Sequence, residues 1–205
     1  MYIPSFNKFE DQQEAISFMQ RYSFATIVSV KDGVPVATHL PFIINRTDDK
    51  IILKSHFAKA NPQAVDAINT NVLIIFTEPH AYISPKHYEK AENVPTWNYL
   101  AVHAYGKCVL LDGEENKAEL LKATILNFEA DYLKQWDNLP DDFKQKMMKG
   151  IVAFEIVIED LQGKSKLSQN RTQKERDNII NELKTSANSN EMEIADYMSV
   201  LKKGD

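Results

Sequence analysis

The sequence predicts an antiparallel β-barrel of about six strands, with helices inserted between the strands or appended to the last one. Short runs rich in β-branched residues are separated by turn signals, such as Asp32-Gly33 between the runs 24–30 and 34–44. These runs follow one another along the chain, and only a short helical stretch, 61–69, interrupts them before a longer helical region precedes the last strand. A parallel sheet would instead alternate each strand with a helix, so an antiparallel arrangement is favoured.

Each predicted element has its own local signal. Apolar residues at helical spacing predict an amphipathic helix over 10–22. Asn61 suits the N-cap and Pro62 the first position of a helix that ends near residue 69. Strands are predicted over 24–30, 34–44, 50–55, 71–77, 99–111 and 151–160, with a short further piece around 81–84, and further helices over 114–135, 140–149 and the tail from residue 172.

Composition narrows the class of protein. The formal net charge is -5, with 24 basic and 29 acidic residues and no dense basic block, so direct DNA binding and adsorption to an anionic membrane are not expected. No apolar run approaches the length of a membrane span, and the first residues do not resemble a secretion signal, which predicts a soluble cytoplasmic protein. The single cysteine, Cys108, agrees with a reducing compartment.

Hydroxyl, imidazole and ammonium groups cluster where the strand 50–55 ends. Ser55, His56 and Lys59 precede the helix start at Asn61, and together they offer the donors and positive charge of a phosphate site. The alternative is an ordinary loop with a solvated lysine and an asparagine cap. Thr38 adds a hydroxyl if neighbouring strand ends meet. For His39 beside it, the alternative is a half-buried strand histidine bonded to the backbone, which is the commoner outcome for a single histidine.

No metal site is predicted. The histidines show neither HxH nor HExxH spacing, and one cysteine excludes a cysteine-rich zinc site; they are His39, His56, His80, His87 and His103. No catalytic residue is assigned either, although His56 or His103 could deliver a proton.

Five sequence blocks in order resemble the PaiB-type family of FMN-binding split-barrel proteins, a negative transcriptional regulator family within the pyridoxamine-phosphate-oxidase-like group. The blocks are Thr38-His-Leu-Pro41, Ser55-His-Phe-Ala58 with Asn61-Pro-Gln63, Pro79-His-Ala-Tyr-Ile-Ser-Pro85, Val94-Pro-Thr-Trp-Asn-Tyr99 with Ala101-Val-His103, and Lys166-Leu-Ser-Gln-Asn-Arg171. The sequence departs from the family pattern at Ala64, Glu78 and His87. A carboxylate at Glu78 would weaken phosphate binding if it faced the phosphate.

The resemblance implies a mainly β (α+β) fold, a six-stranded antiparallel split β-barrel with Greek-key character and peripheral and C-terminal helices. It divides the chain into an FMN-binding split-barrel domain over 1–171 and a helical tail over 172–205. It also implies a homodimer that holds FMN at its interface. The phosphate and ribityl segments carry Thr38, His39, Ser55, His56, Lys59 and Asn61, and the segments near the flavin ring carry Tyr82, Trp97, Asn98 and Tyr99. Residues 166–171 would cover the mouth of the site or the interface.

An alternative for the aromatic segment stays open, namely that Trp97 and Tyr99 fill a dimer core.

Three functions are compatible with the resemblance. The first is a flavin-dependent oxidoreductase or flavin reductase that uses NAD(P)H, with FMN supplying the redox chemistry. The second is a negative transcriptional regulator with flavin as a sensor or absent. The third is a haem-binding or haem-degrading protein, because split-barrel relatives include haem-handling enzymes.

Overall fold

A seven-stranded sheet forms the framework of the protein. The computed structural model describes residues 1–9, 11–47 and 50–201. The strands are β1 (Phe24–Lys31), β2 (Val34–Pro41), β3 (Ile43–Arg46), β4 (Ile51–Ala58), β5 (Asn71–Ile83), β6 (Thr96–Leu110) and β7 (Ile151–Lys166). Their order in the sheet is β2-β1-β5-β6-β7-β4-β3. The pairings of β1 with β2, β1 with β5, β3 with β4 and β4 with β7 are all antiparallel, as predicted.

The predicted first hairpin is confirmed. β1 pairs with β2 in a register that sets Lys31 opposite Val34, so only two residues form the turn. Both turn residues have positive φ, 50° at Asp32 and 79° at Gly33. This conformation is the type I′ turn that an Asp-Gly pair favours between twisted antiparallel strands.

The predicted strand 34–44 is two strands, so the described residues form seven strands rather than six. β2 pairs with β1 and β3 pairs with β4, so the chain changes neighbours between them at Phe42. Pro41 has no N–H to continue the ladder. Phe42 is fully buried, and its N–H donates to the Ser23 carbonyl at 2.8 Å.

Three strands are longer than the sequence signal indicates. β5 is one strand over the two predicted pieces, β6 starts three residues early at Thr96, and β7 extends six residues past Asp160 to Lys166. The far end of β7, Asp160-Leu-Gln-Gly-Lys-Ser-Lys166, is polar and carries a glycine. Strand propensity therefore underestimates it, because pairing rather than composition holds it in the sheet.

Seven α-helices accompany the sheet within the described residues. They are α1 (Gln12–Arg21), α2 (Gln63–Ala67), α3 (Glu114–Phe128), α4 (Leu133–Asn138), α5 (Asp141–Lys149), α6 (Gln173–Leu183) and α7 (Ser189–Val200). The predicted helix 114–135 is broken at Glu129, whose φ of -155° is not helical, and a 3₁₀ turn, Ala130–Tyr132, separates α3 from α4. A capping box of Thr172 and Glu175 starts α6.

The chain divides into two compact units. The terminal unit contains residues 1–15 and 77–102 and the chain from residue 162 onward, and the central unit contains residues 16–76 and 103–161. In the central unit a phenylalanine cluster forms the core, with ring centroids 4.8 to 6.2 Å apart; its members are Phe42, Phe57, Phe76 and Phe154. In the terminal unit α6 and α7 bury Ile179, Ile194 and Met198.

Candidate functional site

A buried glutamine organises the loop after β4 in the central unit. Gln63 is only 1% exposed, and its Nε2 donates to the carbonyls of Ile27 and Val36 and to the hydroxyl of Ser29 at 3.0 to 3.3 Å. Its Oε1 accepts a hydrogen bond from Thr38 Oγ1 at 2.5 Å. The loop is therefore tied to β1 and β2 through one amide side chain. Gln63 was not among the predicted site residues, although it belongs to the Asn61-Pro-Gln63 block.

Two predicted site residues meet around this amide. Asn61 Nδ2 donates to Thr38 Oγ1 at 3.0 Å, and Asn61 Oδ1 accepts from the Gln63 backbone N–H at 2.9 Å. Asn61 thus closes a local turn. The helix α2 begins at Gln63, one residue after the predicted first helical position Pro62, and has only five residues. A helix this short adds little dipole, so any anion site at this loop depends on side chains and individual N–H groups.

Both predicted hydroxyl groups donate their hydrogen within the protein. Thr38 donates to Gln63, and Ser55 Oγ donates to the Pro41 carbonyl at 2.6 Å. Ser55 is buried, whereas His39 is exposed and stacks on the Phe24 ring with centroids 6.4 Å apart. In this conformation a ligand would find lone pairs rather than O–H donors at Thr38 and Ser55.

His56 and Lys59 differ in charge and exposure. His56 is half-buried on β4, and desolvation lowers the pKa of His56 below the ordinary 6.5, so its imidazole is neutral at pH 7. The Lys59 side chain is exposed, and within the described part of the chain no carboxylate pairs with it. The Lys59 backbone N–H donates to the Gly150 carbonyl at 2.8 Å. Lys59 is therefore the cationic group that this loop can offer to an anion.

An exposed aromatic cluster lies in the terminal unit. Trp97 and Tyr82 are 52% and 47% exposed, and their rings meet edge to face with centroids 5.8 Å apart. His80 lies 5.9 Å from Trp97, and Glu78 Oε2 lies 4.0 Å from His80 Nδ1. The structure thus brings together two of the four predicted ring-side residues, and sequence analysis did not include His80 with them.

The other two predicted ring-side residues contact the C-terminal part of the same unit. Asn98 is fully buried; its Oδ1 accepts from Ser168 Oγ at 3.0 Å, and its Nδ2 donates to Met198 Sδ at 3.4 Å. Tyr99 lies beneath the Lys164 ammonium, 5.1 Å from the ring centroid. Asn98 and Lys164 both line a cavity of about 340 Å³, and the block 166–171 contributes four further lining residues. The sequence analysis missed Lys164, although its spacing of two from Lys166 is the signal of one strand face.

The predicted residues therefore fall into two groups, one in each unit. Thr38, His39, Ser55, His56, Lys59 and Asn61 belong to the central unit, and Tyr82, Trp97, Asn98 and Tyr99 to the terminal unit. Over the described ranges no three His, Cys, Asp or Glu side chains come together as metal ligands. None of the described helices is both long enough and apolar enough to cross a membrane.

Comparison with solved structures defines the fold class as a split barrel. The flavocytochrome Anf3 from Azotobacter vinelandii superposes with a TM-score of 0.64 over 80% of this chain and 72% of its own, at 16% identity. The FAD and heme binding protein from Mycobacterium smegmatis gives 0.62 over 78% and 73%, at 15% identity. At these identities the likeness concerns the fold alone, and it confirms the predicted fold class.

Sequence comparison then identifies the family. Residues 1–160 match the family described as "Putative FMN-binding domain". The protease synthase and sporulation protein PAI 2 of Bacillus subtilis is 42% identical over 202 residues, 97% of this chain and 96% of its own. This chain belongs to the PaiB-type family of FMN-binding split-barrel proteins. The family expected from the five sequence blocks is confirmed, and with it FMN as the cofactor of the family.

Proposed function

We propose that this protein binds FMN as a homodimer and uses it to carry electrons from NAD(P)H to a small acceptor. The observation that carries the proposal is the match of residues 1–160 to the FMN-binding family, since it spans both groups of predicted site residues. We propose that the chain consists of a split-barrel domain over 1–171 and a helical tail over 172–205. The family match ends at residue 160, so it lies entirely within the proposed split-barrel domain.

The residues present are of the kinds that FMN requires. A flavin phosphate needs a cation and N–H donors, and the central unit offers the exposed Lys59 ammonium together with the Asn61 amide. A flat ring needs aromatic walls, and Trp97 and Tyr82 in the terminal unit keep about half of their surface exposed. No carboxylate pairs with Lys59 among the described residues, so its attraction for an anion is not cancelled there, whereas the Glu78 carboxylate lies beside His80 at the aromatic cluster.

FMN, when bound, supplies hydride acceptance and electron transfer, so the chain's part is to bind, orient and shield it. Lys59 would hold the phosphate, and the edge-to-face pair of Trp97 and Tyr82 would limit how a ring can lie against it. His56 is neutral at pH 7 because burial lowers its pKa, so its ring carries both an N–H donor and a lone pair. Neutral His56 can therefore donate or accept a hydrogen bond without adding a second charge, and only proton transfer to its lone pair would make the ring cationic.

The test starts with a visible absorption spectrum of the purified protein before and after addition of FMN. A flavin band at about 450 nm that stays with the protein through gel filtration supports the cofactor site. The loss of NADH absorbance, measured with the FMN-loaded protein and a small electron acceptor, then tests the activity. If wild-type protein retains no flavin at micromolar FMN, the proposal fails.

Lys59→Glu tests the phosphate contact directly. Reversing the charge should weaken FMN binding by about tenfold or more, because a charge-assisted hydrogen bond is replaced by repulsion. Lys107→Glu is the matched control, since Lys107 is exposed on β6 of the same unit and makes the same change in net charge. Equal dissociation constants for the two variants in a flavin titration would remove Lys59 from the site.

A further inference from the structure

Three cationic side chains line the cavity of the terminal unit. Lys164 and Lys166 come from the end of β7, and Arg171 comes from the segment before α6. The two lysines are two positions apart on a strand, so their side chains leave the same face. The lining includes no Asp or Glu side chain among the described residues. The cavity is therefore strongly positive for its volume of about 340 Å³, which is at the lower end of small-molecule sites.

Lys164 is a buried cation without a counter-ion. Its side chain belongs to a residue only 9% exposed, and no carboxylate of the described residues forms an ion pair with it. Its ammonium lies over the rings of Tyr99 and Tyr2, 5.1 and 5.8 Å from their centroids. Ring faces offset part of the desolvation of an ammonium, but a buried charge is normally balanced by an opposite charge.

Lys166 adds a second positive charge beside the first. Its Nζ donates to Thr96 Oγ1 and to the Trp97 carbonyl, the latter at 2.7 Å, and both acceptors are neutral. Burial, and then the neighbouring charge of Lys164, lower the pKa of Lys166. The two ammonium groups are thus close enough to repel, and an anion between them would relieve this repulsion.

Arg171 and Tyr88 supply an oriented fork and an unsatisfied hydroxyl. The guanidinium carbon of Arg171 lies 3.7 Å from the centroid of the Tyr88 ring, and Nη1 donates to Asn93 Oδ1 at 2.9 Å. Stacking and this hydrogen bond fix the plane of the guanidinium, which prepares it for bidentate contact with an oxyanion. Tyr88 is 8% exposed, and its buried hydroxyl has no hydrogen-bond partner among the described residues. A buried group left unpaired in this way calls for a further partner.

We propose that this cavity binds a small organic anion, whose carboxylate or phosphate group is held by Lys164, Lys166 and Arg171. The body of the molecule packs against the apolar part of the lining, which includes Phe6 and Pro95. The cations belong to the terminal unit, whereas Lys59 belongs to the central unit. This site therefore does not depend on the proposed role of Lys59. It shares Asn98 with the residues predicted near the flavin ring, so it is tested in flavin-free protein.

The test is a calorimetric titration of flavin-free protein with two probes, benzoate and inorganic phosphate, at low ionic strength. Binding of either probe is expected, and Lys164→Met and Lys166→Met should each weaken it by about tenfold or more, because each removes a charged hydrogen-bond donor. Lys166→Arg keeps the charge and should retain binding. Lys174→Met is the matched control, since Lys174 lies on α6 outside the cavity lining and pairs with Glu89.

The results that would contradict this anion site differ from those that would contradict FMN binding. The inference is overturned if neither probe binds wild-type protein, or if Lys164→Met and Lys174→Met bind the probes equally. It is also overturned if Lys59→Glu abolishes probe binding while Lys164→Met leaves it intact, because the anion would then bind at the loop of the central unit. Circular dichroism and melting temperature confirm that each variant is folded.

A second measurement avoids substitution altogether. Acetic anhydride labels neutral lysine amines, and mass spectrometry reports the rate at each lysine. Saturating phosphate or benzoate should slow labelling of Lys166 severalfold and leave labelling of the exposed Lys107 unchanged. Equal rates at Lys166 with and without the probes would contradict an anion held beside it.

Discussion

The buried side-chain amide of Gln63 contributes to the stability of the folded protein. It is hydrogen bonded to Thr38, Ser29 and two carbonyl groups, and its bonds to Ser29 and to the Ile27 carbonyl are fully buried. Gln63→Leu should lower the free energy of unfolding by about 1–3 kcal/mol, because it leaves buried polar groups without a partner. Urea denaturation measures this. Gln145→Leu, on the exposed surface of α5, is the control and should change stability by less than about 0.5 kcal/mol.

His56 should make stability depend on pH. Desolvation holds the pKa of His56 below 6.5 in the folded protein, so the unfolded chain binds a proton first as the pH falls. The stabilising contribution is complete above pH 6.5 and is lost as the pH falls through the folded-state pKa. The pKa of His103 is lowered for the same reason, which adds to the trend.

The measurement is urea denaturation of wild type and His56→Gln at several pH values between about 5 and 8. The variant should lose less stability than wild type on acidification. His39→Gln provides the matched substitution at an exposed histidine of the same unit. Identical pH profiles for wild type and His56→Gln would show that His56 is not responsible.

At the scale of elements, the close approach of β6 and β7 requires a glycine. A Cβ on Gly106 would lie 2.2 Å from the Val157 carbonyl oxygen and 2.9 Å from Ile156 Cγ2. The first of these is a backbone atom in a paired strand, so it cannot move away without disturbing the sheet. Gly106→Ala should therefore destabilise the protein by about 2 kcal/mol or more.

Thermal and urea denaturation of Gly106→Ala test this requirement. Gly150→Ala is the control, because there the added Cβ lies no closer than 3.2 Å to its nearest neighbour, the Met147 carbonyl oxygen. The strand contact would not be as tight as described if the two alanine variants had equal stability.

Local sequence signals predict the elements well where turns and β-branched residues are dense. The Asp32-Gly33 hairpin is an example, because the turn residues alone select the turn type. Local sequence signals fail where pairing with distant strands decides whether a segment is a strand. The end of β7 is polar, and its strand conformation depends on tertiary pairing that a single sequence does not display.

The same limit applies to the candidate site. Lys59 and Trp97 could be selected from their motifs, and the structure leaves both side chains exposed. The cationic cavity could not be selected, because Lys164 joins it only if β7 continues past Asp160. The hydrogen bonds of Thr38 and Ser55 could not be predicted from the sequence either, because they require Gln63 and Pro41 to lie beside them in the fold.

At the scale of the whole molecule, the exposed aromatic cluster bears on assembly. Trp97 and Tyr82 form an exposed pair of adjoining aromatic rings, and aromatic residues are enriched at protein interfaces. The proposed homodimer should elute with twice the chain mass of 23.5 kDa in gel filtration with light scattering. Trp97→Lys should shift it towards the monomer, because it places a charge in an apolar contact.

Phe128→Lys is the control for this substitution. Phe128 is 53% exposed at the end of α3, so it matches Trp97 in exposure but not in location. A wild-type mass of one chain would contradict the dimer. Dissociation by Phe128→Lys alone would place the interface on α3 instead.

The distribution of tryptophan gives the molecule a built-in optical reporter. The sequence has 2 tryptophans, and each unit contains one: the half-exposed Trp97 in the terminal unit and Trp136, 8% exposed, in the central unit. Replacing Trp136 with phenylalanine would leave the Trp97 indole as the one emitting indole, and the backbone carbonyl of Trp97 accepts a hydrogen bond from Lys166. The fluorescence emission of that protein would follow flavin stacking as quenching and anion binding as a spectral shift, so one sample could separate the two events in real time.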